Sequence, residues 1–366
     1  MTEDAGASAE PTAPDDGPGV PGAKPLPATR KGDRRRRVTI TDVGAAAGVS
    51  TSTVSRVLNG TAHVDPELAR RVQSAVAELG YRPNAAAQGL ARGEAGAIGV
   101  LVPDLANPYF PDVLKSVSAV ARSHGRRVME SDGDPTSEHE LAEDLMRCCD
   151  GVLLCSPRMD RAAIVDLALR GRPLVLVNRI VPGLGVPAVS ADFYGGMTLV
   201  CGHLAQLGHR RVAYLSGPEA SWANAERIRA FDAAAFGVEV TVIPCGHTAR
   251  QGYESADALR AADVTAAVAY NDLVATGAVA ALEAAGLRIP EDMSVIGCDD
   301  ISLDDLPGSR RFTTASMARD ELGTLAARRL ESLMTDGDDS EPHYIPMELR
   351  VRRTSAPPAA LPNRTG

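Results

Sequence analysis

The chain has 366 residues, enough for two or three domains, and it is 44% apolar but only 4% aromatic, so its cores must be built from aliphatic side chains. A formal net charge of −9 excludes a uniformly basic nucleic-acid binder, and no apolar run approaches the ~18 residues needed to span a membrane.

Residues 1–36 are expected to be a disordered tail. Residues 1–29 are rich in Ala, Pro, Gly and acids, and lack the basic start and apolar run of a signal peptide. Lys31 and Arg34 to Arg37 then form a basic run that reads equally as a solvated tail or as an arm for phosphate or the minor groove. Residues 37–81 have the pattern of a small all-α headpiece. Thr39 and Asp42 make a capping-box start, Val43, Ala46 and Ala47 supply an apolar face, and Gly48 stops the first helix. Ser50 is a good N-cap for a second helix, on which Val54 and Val57 point inward and Thr51, Ser52, Ser55 and Arg56 face out. A third helix opens at Asp65-Pro66-Glu67, continues through Leu68, Val72, Ala75, Val76 and Leu79, and ends at Gly80. Short hydroxyls and one arginine on a second helix suit base-edge and phosphate contacts, so the candidate DNA contacts read from this face are Thr51, Ser52, Ser55 and Arg56. The charge agrees: residues 30–93 hold eleven Arg and Lys against five acids, a local +6 that leaves −15 on the rest of the chain.

The run Val49-Ser50-x-x-Thr53-Val54-Ser55-Arg56-Val57-Leu58-Asn59 closely resembles the opening motif of the lactose/galactose repressor (LacI/GalR) family of bacterial transcription regulators, and the resemblance continues over about residues 38–354. The resemblance adds Thr53 and Asn59 to the candidate DNA contacts. Residues 82–95 then look like the family's hinge helix. Two turns are too short to be stable alone in water, and Gly89 weakens them by up to ~1 kcal/mol, so this segment is expected to order only on DNA. Leu90 stands at the position resembling the family's minor-groove wedge, beside Asn84, Ala87 and Gln88; its alternative is packing on the body.

From Ala97 the texture changes to apolar runs separated by helical stretches. Residues 98–102, 152–155, 174–177, 212–215, 240–243, 266–269 and 295–297 read as buried parallel strands of doubly wound sheets. The resemblance implies that residues 96–355 form two similar subdomains, like periplasmic sugar-binding proteins, joined by crossovers near residues 189, 313 and 340, with an effector cleft between them.

Ligands bind beyond the carboxyl ends of such strands. Tyr109 and Phe110 follow the first strand and match the family's cleft aromatics. Arg227, with Ala230 and Phe231, resembles Arg-x-x-Gly-Phe, whose arginine reaches into the cleft; Ala replaces the Gly here. Trp222, just upstream, either stacks on a sugar face or covers core. Asn271 is the candidate for a ligand hydroxyl and Asp272 for a helix cap. Gly297-Cys298-Asp299-Asp300 resembles Gly-aromatic-Asp-Asp/Asn, with Asp299 accepting from ligand hydroxyls and Cys298 departing from the aromatic. His247 completes the candidate effector-binding set, and His209 reads as a satisfied turn residue. Residues 347–355 resemble the family's final strand. Residues 356–366, with Pro357, Pro358 and Pro362 and no heptads, are expected to be a disordered tail, which implies a homodimer without a tetramerising coiled coil.

Six cysteines without metal-like spacing suit buried thiols in a reducing, cytoplasmic setting, and no metal, cofactor or catalytic residue is expected. The expected function is a ligand-responsive repressor that binds a double-stranded, near-palindromic operator as a dimer, with a sugar or a nucleoside/purine as effector. Two other classes compete. A non-regulatory solute-binding protein would need neither headpiece nor basic run. An enzyme on the same scaffold would need a Gly-rich phosphate loop or a nucleophile elbow, and Asp299 with His209 lack the spacing of an acid–base pair.

Overall fold

This computed structural model describes residues 38–59, 64–81, 95–133, 136–233, 237–301, 311–335, 337 and 340–359. They divide into two units, one within residues 1–83 and the other within 84–366. The expected tail 1–36 and the hinge residues Asn84, Ala87, Gln88 and Leu90 lie outside the described residues.

The first unit is three helices, α1 (Ile40–Ala47), α2 (Thr51–Asn59) and α3 (Pro66–Leu79). Among the described residues its buried apolar side chains are Val43, Ala47, Val54, Val72 and Ala75. A valine contributes at most about 3 kcal/mol by burial, so helix caps worth about 1 kcal/mol each are a material share of this small unit's stability. Five of them are in place among the described residues. Thr39 Oγ1 accepts from Asp42 N at 3.3 Å while the Asp42 carboxylate accepts from Thr39 N at 2.8 Å. Ser50 Oγ accepts from Thr53 N at 3.2 Å, and Asp65 from Glu67 N at 2.7 Å. Gly48, at φ 63°, turns the chain out of α1, and Arg71 of α3 donates to the carbonyl of Ala47 to close that helix end. The apolar face of α1 differs from expectation in one residue: Ala46 is exposed and Gly44 takes the inner position. A Cβ on Gly44 would stand 2.9 Å from the Val49 carbonyl, so the turn packs onto bare backbone there.

The second unit has two lobes. The first contains β1 (Ala97–Val102), α4 (Tyr109–Ser123), β2 (Arg127–Asp132), α5 (Glu138–Cys148), β3 (Gly151–Cys155), α6 (Arg161–Leu169), β4 (Leu174–Val177) and β5 (Ala188–Ala191), and later α12 (Arg319–Thr335) and β11 (His343–Ile345). The second contains α7 (Phe193–Leu207), β6 (Arg211–Ser216), α8 (Trp222–Ala233), β7 (Glu239–Pro244), α9 (Ala249–Glu254), α10 (Ala256–Ala261), β8 (Ala266–Ala269), α11 (Asp272–Ala284), β9 (Ser294–Cys298), β10 (Thr313–Met317) and β12 (Met347–Arg350). The sheets run β11-β5-β4-β3-β1-β2 and β12-β10-β9-β8-β6-β7, the same strand plan used twice. All pairs are parallel except β10 with β12. Central strands are buried throughout because helices cover both faces, whereas the edge strands β2 and β7 alternate between exposed and half-buried residues.

The chain crosses between lobes three times, after β5 at Asp192, after β10 at Ala318, and at Pro346 between β11 and β12. The sequence placed these passages near 189, 313 and 340. Each lies further on because β5, β10 and β11 complete their sheets before the chain leaves. One apolar cluster runs through both lobes, including Phe193, Met317 and Met347 beside the crossings.

The expected tail 356–366 lies partly outside the described residues, but at its start Ala356 is fixed to the second lobe. Ala356 N donates to Ser294 Oγ at 3.0 Å and its carbonyl accepts from that hydroxyl at 3.0 Å and pairs with His209 Nε2 at 3.0 Å. His209 also meets Thr265 Oγ1 at 2.7 Å and is buried, as a satisfied turn histidine should be. Among the described residues, no helix is long and apolar enough to cross a membrane.

Candidate functional site

Two surfaces carry the candidate residues. On α2, Val54 is buried and Val57 half-buried against the three-helix core, and this fixes which side chains face outward. Thr51, Ser52 and Arg56 are exposed and Ser55 is half-buried. Thr53 is half-buried and its hydroxyl lies 2.9 Å from Ser50 Oγ, which also meets Ser52 Oγ at 2.7 Å. Asn59 ends α2, and its side chain lies outside what is described.

The second surface is a narrow cleft between the lobes. Its lining residues lie just beyond strand carboxyl ends: Asn107, Tyr109 and Phe110 after β1, Ser156 and Arg158 after β3, and Asn178 after β4. The other lobe adds Ser221 and Arg227 after β6, His247 after β7, Tyr270 and Asn271 after β8, and Asp299 after β9. Three of these, Ser156, Asn178 and Asp299, hold positive φ of 49°, 53° and 98°. Such backbone is uncommon outside glycine and concentrates where a chain must present a side chain at a fixed angle.

Arg227 is the centre of the cleft chemistry. It is 2% exposed, and its guanidinium carbon lies 4.6 Å from the ring centroids of both Phe193 and Tyr270. Nη2 donates to Cys298 Sγ at 3.2 Å and stands 3.8 Å from Asp299 Oδ1. Nε and Nη1 are buried with no partner among the described residues. Burial pushes the Asp299 carboxyl up, with Arg227 and then Arg319 holding it back. Arg319 donates to the Asp299 carbonyl and reaches Asp112 at 2.9 Å, tying α12 of the first lobe to the second.

Tyr109 is a buried strut. Its hydroxyl accepts from Asn178 Nδ2 at 2.7 Å and donates to Met317 Sδ at 3.3 Å, while Phe110 packs edge-on against it at 5.0 Å. Both rings line the cleft, as anticipated. Asn271 lines it too, but its polar atoms are in use: Oδ1 caps α11 at Val274 N (2.8 Å) and Nδ2 donates to the His247 carbonyl (2.9 Å). The cap is therefore Asn271, and Asp272 does something else. Its buried carboxyl accepts from Thr314 Oγ1 and Ile301 N, each at 2.9 Å, and is pushed well above the usual range by burial and by neighbouring Asp299. Residue 297 has to be glycine beneath it, since a Cβ there would come 1.9 Å from Asp272 Oδ1. His247 Nε2 faces Asp104 of the other lobe at 3.9 Å, and burial and Arg158 depress its pKa. Trp222 is not in the lining; it packs edge-on against Phe193 at 6.2 Å. Phe193, Tyr270, Asn178 and Ser156 were missed from sequence, although the last three directly follow predicted strands.

A guanidinium fork, a carboxyl and aromatic faces between two lobes can hold a small polar ligand by its hydroxyls or by an acidic group. His139, Glu143 and Asp166 bring possible metal donors within 4.8 Å of one another, but Arg170 already bonds both carboxylates.

Comparison with known proteins is consistent with this geometry. A sequence model for bacterial regulatory proteins of the lacI family matches residues 39–84, and one for a periplasmic binding protein-like domain matches residues 201–355. The HTH-type transcriptional regulator GalS of Salmonella typhimurium is 36% identical over 296 residues, 77% of this chain and 87% of GalS. CelR of Thermobifida fusca is 33% identical over 340 residues, 87% of this chain and 98% of CelR. Among solved structures, a lac repressor dimer bound to operator and the anti-inducer ONPF superposes with a TM-score of 0.78 at 26% identity, covering 88% of this chain and all (100%) of that one. A CelR–cellobiose complex superposes at 0.65 with 30% identity, covering 87% and 100%.

Proposed function

Because the chain belongs to the lacI family of bacterial regulatory proteins, a family of DNA-binding transcription regulators, we propose that it is a repressor that grips a near-palindromic operator as a homodimer and is controlled by a sugar held in the cleft. The observation that carries the effector half is Arg227: a buried guanidinium with two idle nitrogens, clamped between two rings in an interlobe cleft, is a donor set awaiting an acceptor. Asp299 accepts from a neighbouring ligand hydroxyl, Tyr109 and Phe110 form the wall, and His247 closes the mouth against Asp104. The cellobiose complex of CelR and a ribose-bound relative from Enterococcus faecium favour a sugar over a nucleoside.

On DNA, Thr51, Ser52 and Arg56 read base edges, with Thr53, Ser55 and Asn59 setting register on the backbone. Two hinge segments order together, and Leu90, flanked by Asn84, Ala87 and Gln88, wedges into the central minor groove. A ligand bridging both lobes shifts their relative position and so biases the hinge; a coupling of about 1–3 kcal/mol is sufficient. The protein acts by binding, without turnover of its effector.

The test is a binding-site selection with the intact chain, followed by titration of the selected duplex complex with monosaccharides, disaccharides and nucleosides. A two-half-site consensus whose complex responds to a sugar is expected. Failure to prefer any duplex over random competitor at moderate ionic strength, with or without these ligands, overturns the proposal.

A further inference from the structure

One cluster outside both surfaces has no role in the reading above. Cys148 is the final residue of α5 and Cys149 follows it in extended conformation (φ −121°, ψ 158°), with the two thiol sulfurs 3.9 Å apart. Met129, from the edge strand β2, meets them there. The three sulfurs form a nearly equilateral triangle: Cys148 Sγ to Cys149 Sγ 3.9 Å, Cys148 Sγ to Met129 Sδ 4.0 Å, and Cys149 Sγ to Met129 Sδ 3.7 Å. Met129 is 42% exposed and Cys148 is exposed, so the triangle opens to solvent, while Cys149 is rooted in the core. The thioether and the outer thiol are thus accessible to a ligand from solvent.

Geometry and donor chemistry identify that ligand. A point equidistant from three sulfurs at these separations lies about 2.2 Å from each, close to the roughly 2.3 Å of a zinc–thiolate bond. Two thiols and a thioether are soft donors, which select cuprous ion. Zinc prefers four ligands, and among the described residues no histidine or carboxylate joins the two cysteines in a three-donor group. We propose that Cys148, Cys149 and Met129 form a trigonal binding site for a soft monovalent metal ion, cuprous copper in the first place. Binding releases two thiol protons to solvent and leaves one net negative charge on the site, with no change of oxidation state.

The site adjoins a fixed point of the fold. Asp150 follows Cys149, and its carboxylate accepts from Ala95 N (2.6 Å), Gly96 N (2.8 Å) and Ala97 N (3.3 Å), where β1 begins, and from Arg126 at 2.5 Å. The backbone carrying the thiols is therefore held rigid, which favours a pre-formed ligand triangle.

The intact protein, reduced and anaerobic, is titrated with cuprous ion against the chromophoric chelator bicinchoninate. One equivalent should be withdrawn from the chelator, and X-ray absorption should show sulfur alone, three atoms at a single short distance. Cys148→Ser, at an exposed position that leaves the fold intact by circular dichroism, should weaken binding at least 100-fold, and Met129→Leu at least tenfold. Cys245→Ser, at a cysteine far along the chain on the other lobe, should bind as the wild type does. Undiminished binding by either Cys148→Ser or Met129→Leu, or nitrogen or oxygen in the metal's shell, overturns the site.

Discussion

Replacing Arg227 with methionine separates a ligand clamp from a structural strut. The guanidinium gains from two ring contacts at 4.6 Å, each worth up to about 2 kcal/mol when desolvated. Against this stand two buried nitrogens without partners, each costing about 1–3 kcal/mol. Methionine keeps apolar contact with Phe193 and Tyr270 and removes the unpartnered donors. Asp299 loses its cation at 3.8 Å, which moves its carboxyl further in the direction burial already pushes it, with Arg319 still holding it back. The opposing terms nearly cancel, so Arg227→Met should cost the ligand-free protein less than about 2 kcal/mol by denaturant unfolding. Ligand binding should behave differently. Acceptors that engage Nε and Nη1 gain about 1.5–3 kcal/mol each, so affinity should fall by roughly two to four powers of ten. The assay is the rise in Tm with ligand, using whichever sugar or nucleoside stabilises the wild type, paired with urea unfolding of both proteins without ligand. A variant that loses more than about 4 kcal/mol of stability yet still binds within threefold of wild type refutes the reasoning.

Other substitutions probe the remaining assignments. Arg56→Ala should erase sequence preference in a binding-site selection while leaving weak, salt-sensitive association; an unchanged consensus would remove Arg56 from base reading. Asp272 has a folded pKa above its unfolded one, so the native state binds more protons and stability falls as pH rises from about 3.8 through the folded value. Asp272→Asn should flatten that decline in unfolding measured from pH 4 to pH 9, and a parallel curve for both proteins would place the pH dependence elsewhere. His209 has its pKa lowered, chiefly by burial, so the stability it confers is present above pH 6.5 and lost as pH falls through the folded value. His209→Gln should lose about 1–3 kcal/mol at pH 7.5 and a smaller amount at pH 5, since the two hydrogen bonds are lost at either pH but the charging penalty is lost with them. An equal loss at both values would show that the imidazole never has to be neutral.

What was legible in the sequence follows from how each element is stabilised. The three headpiece helices were readable because Thr39, Ser50, Asp65, Gly48 and Gly80 act within a turn of where they sit, and local hydrogen bonds leave a local signature. The central strands were readable because both faces are covered, giving unbroken apolar runs such as Leu174–Val177. β10 was not, because Thr313, Thr314 and Ser316 are buried hydroxyls whose partners, Ser355, Asp272 and Asp300, lie at least sixteen residues away. β2 was not either, because its exposed edge carries Arg127, Glu130 and Asp132, whereas β7, an edge with the same exposure, was read from its apolar residues but wrongly as buried. In the cleft, Arg227 and Asp299 were found through family likeness and Tyr109 through its place after a strand. Trp222 faced two ways on paper, and only tertiary packing directs it to Phe193. Asn271 rather than Asp272 caps the helix for a similar reason: either can do so, and what decides is Gly297, whose missing side chain admits Asp272 beneath Thr314.

The three passages between lobes bear on how this protein is made. On a ribosome, residues 38–81 emerge first and can fold at once, since every contact in that small unit is local. Neither lobe has that freedom. Each sheet waits for a strand beyond residue 342, β11 for one and β12 for the other, so hundreds of residues must be held unfinished with β5 and β10 as open edges. A message cut short between residue 81 and that point yields a finished DNA-reading head on a body that can complete neither half, a product for chaperones and proteases rather than a smaller working repressor.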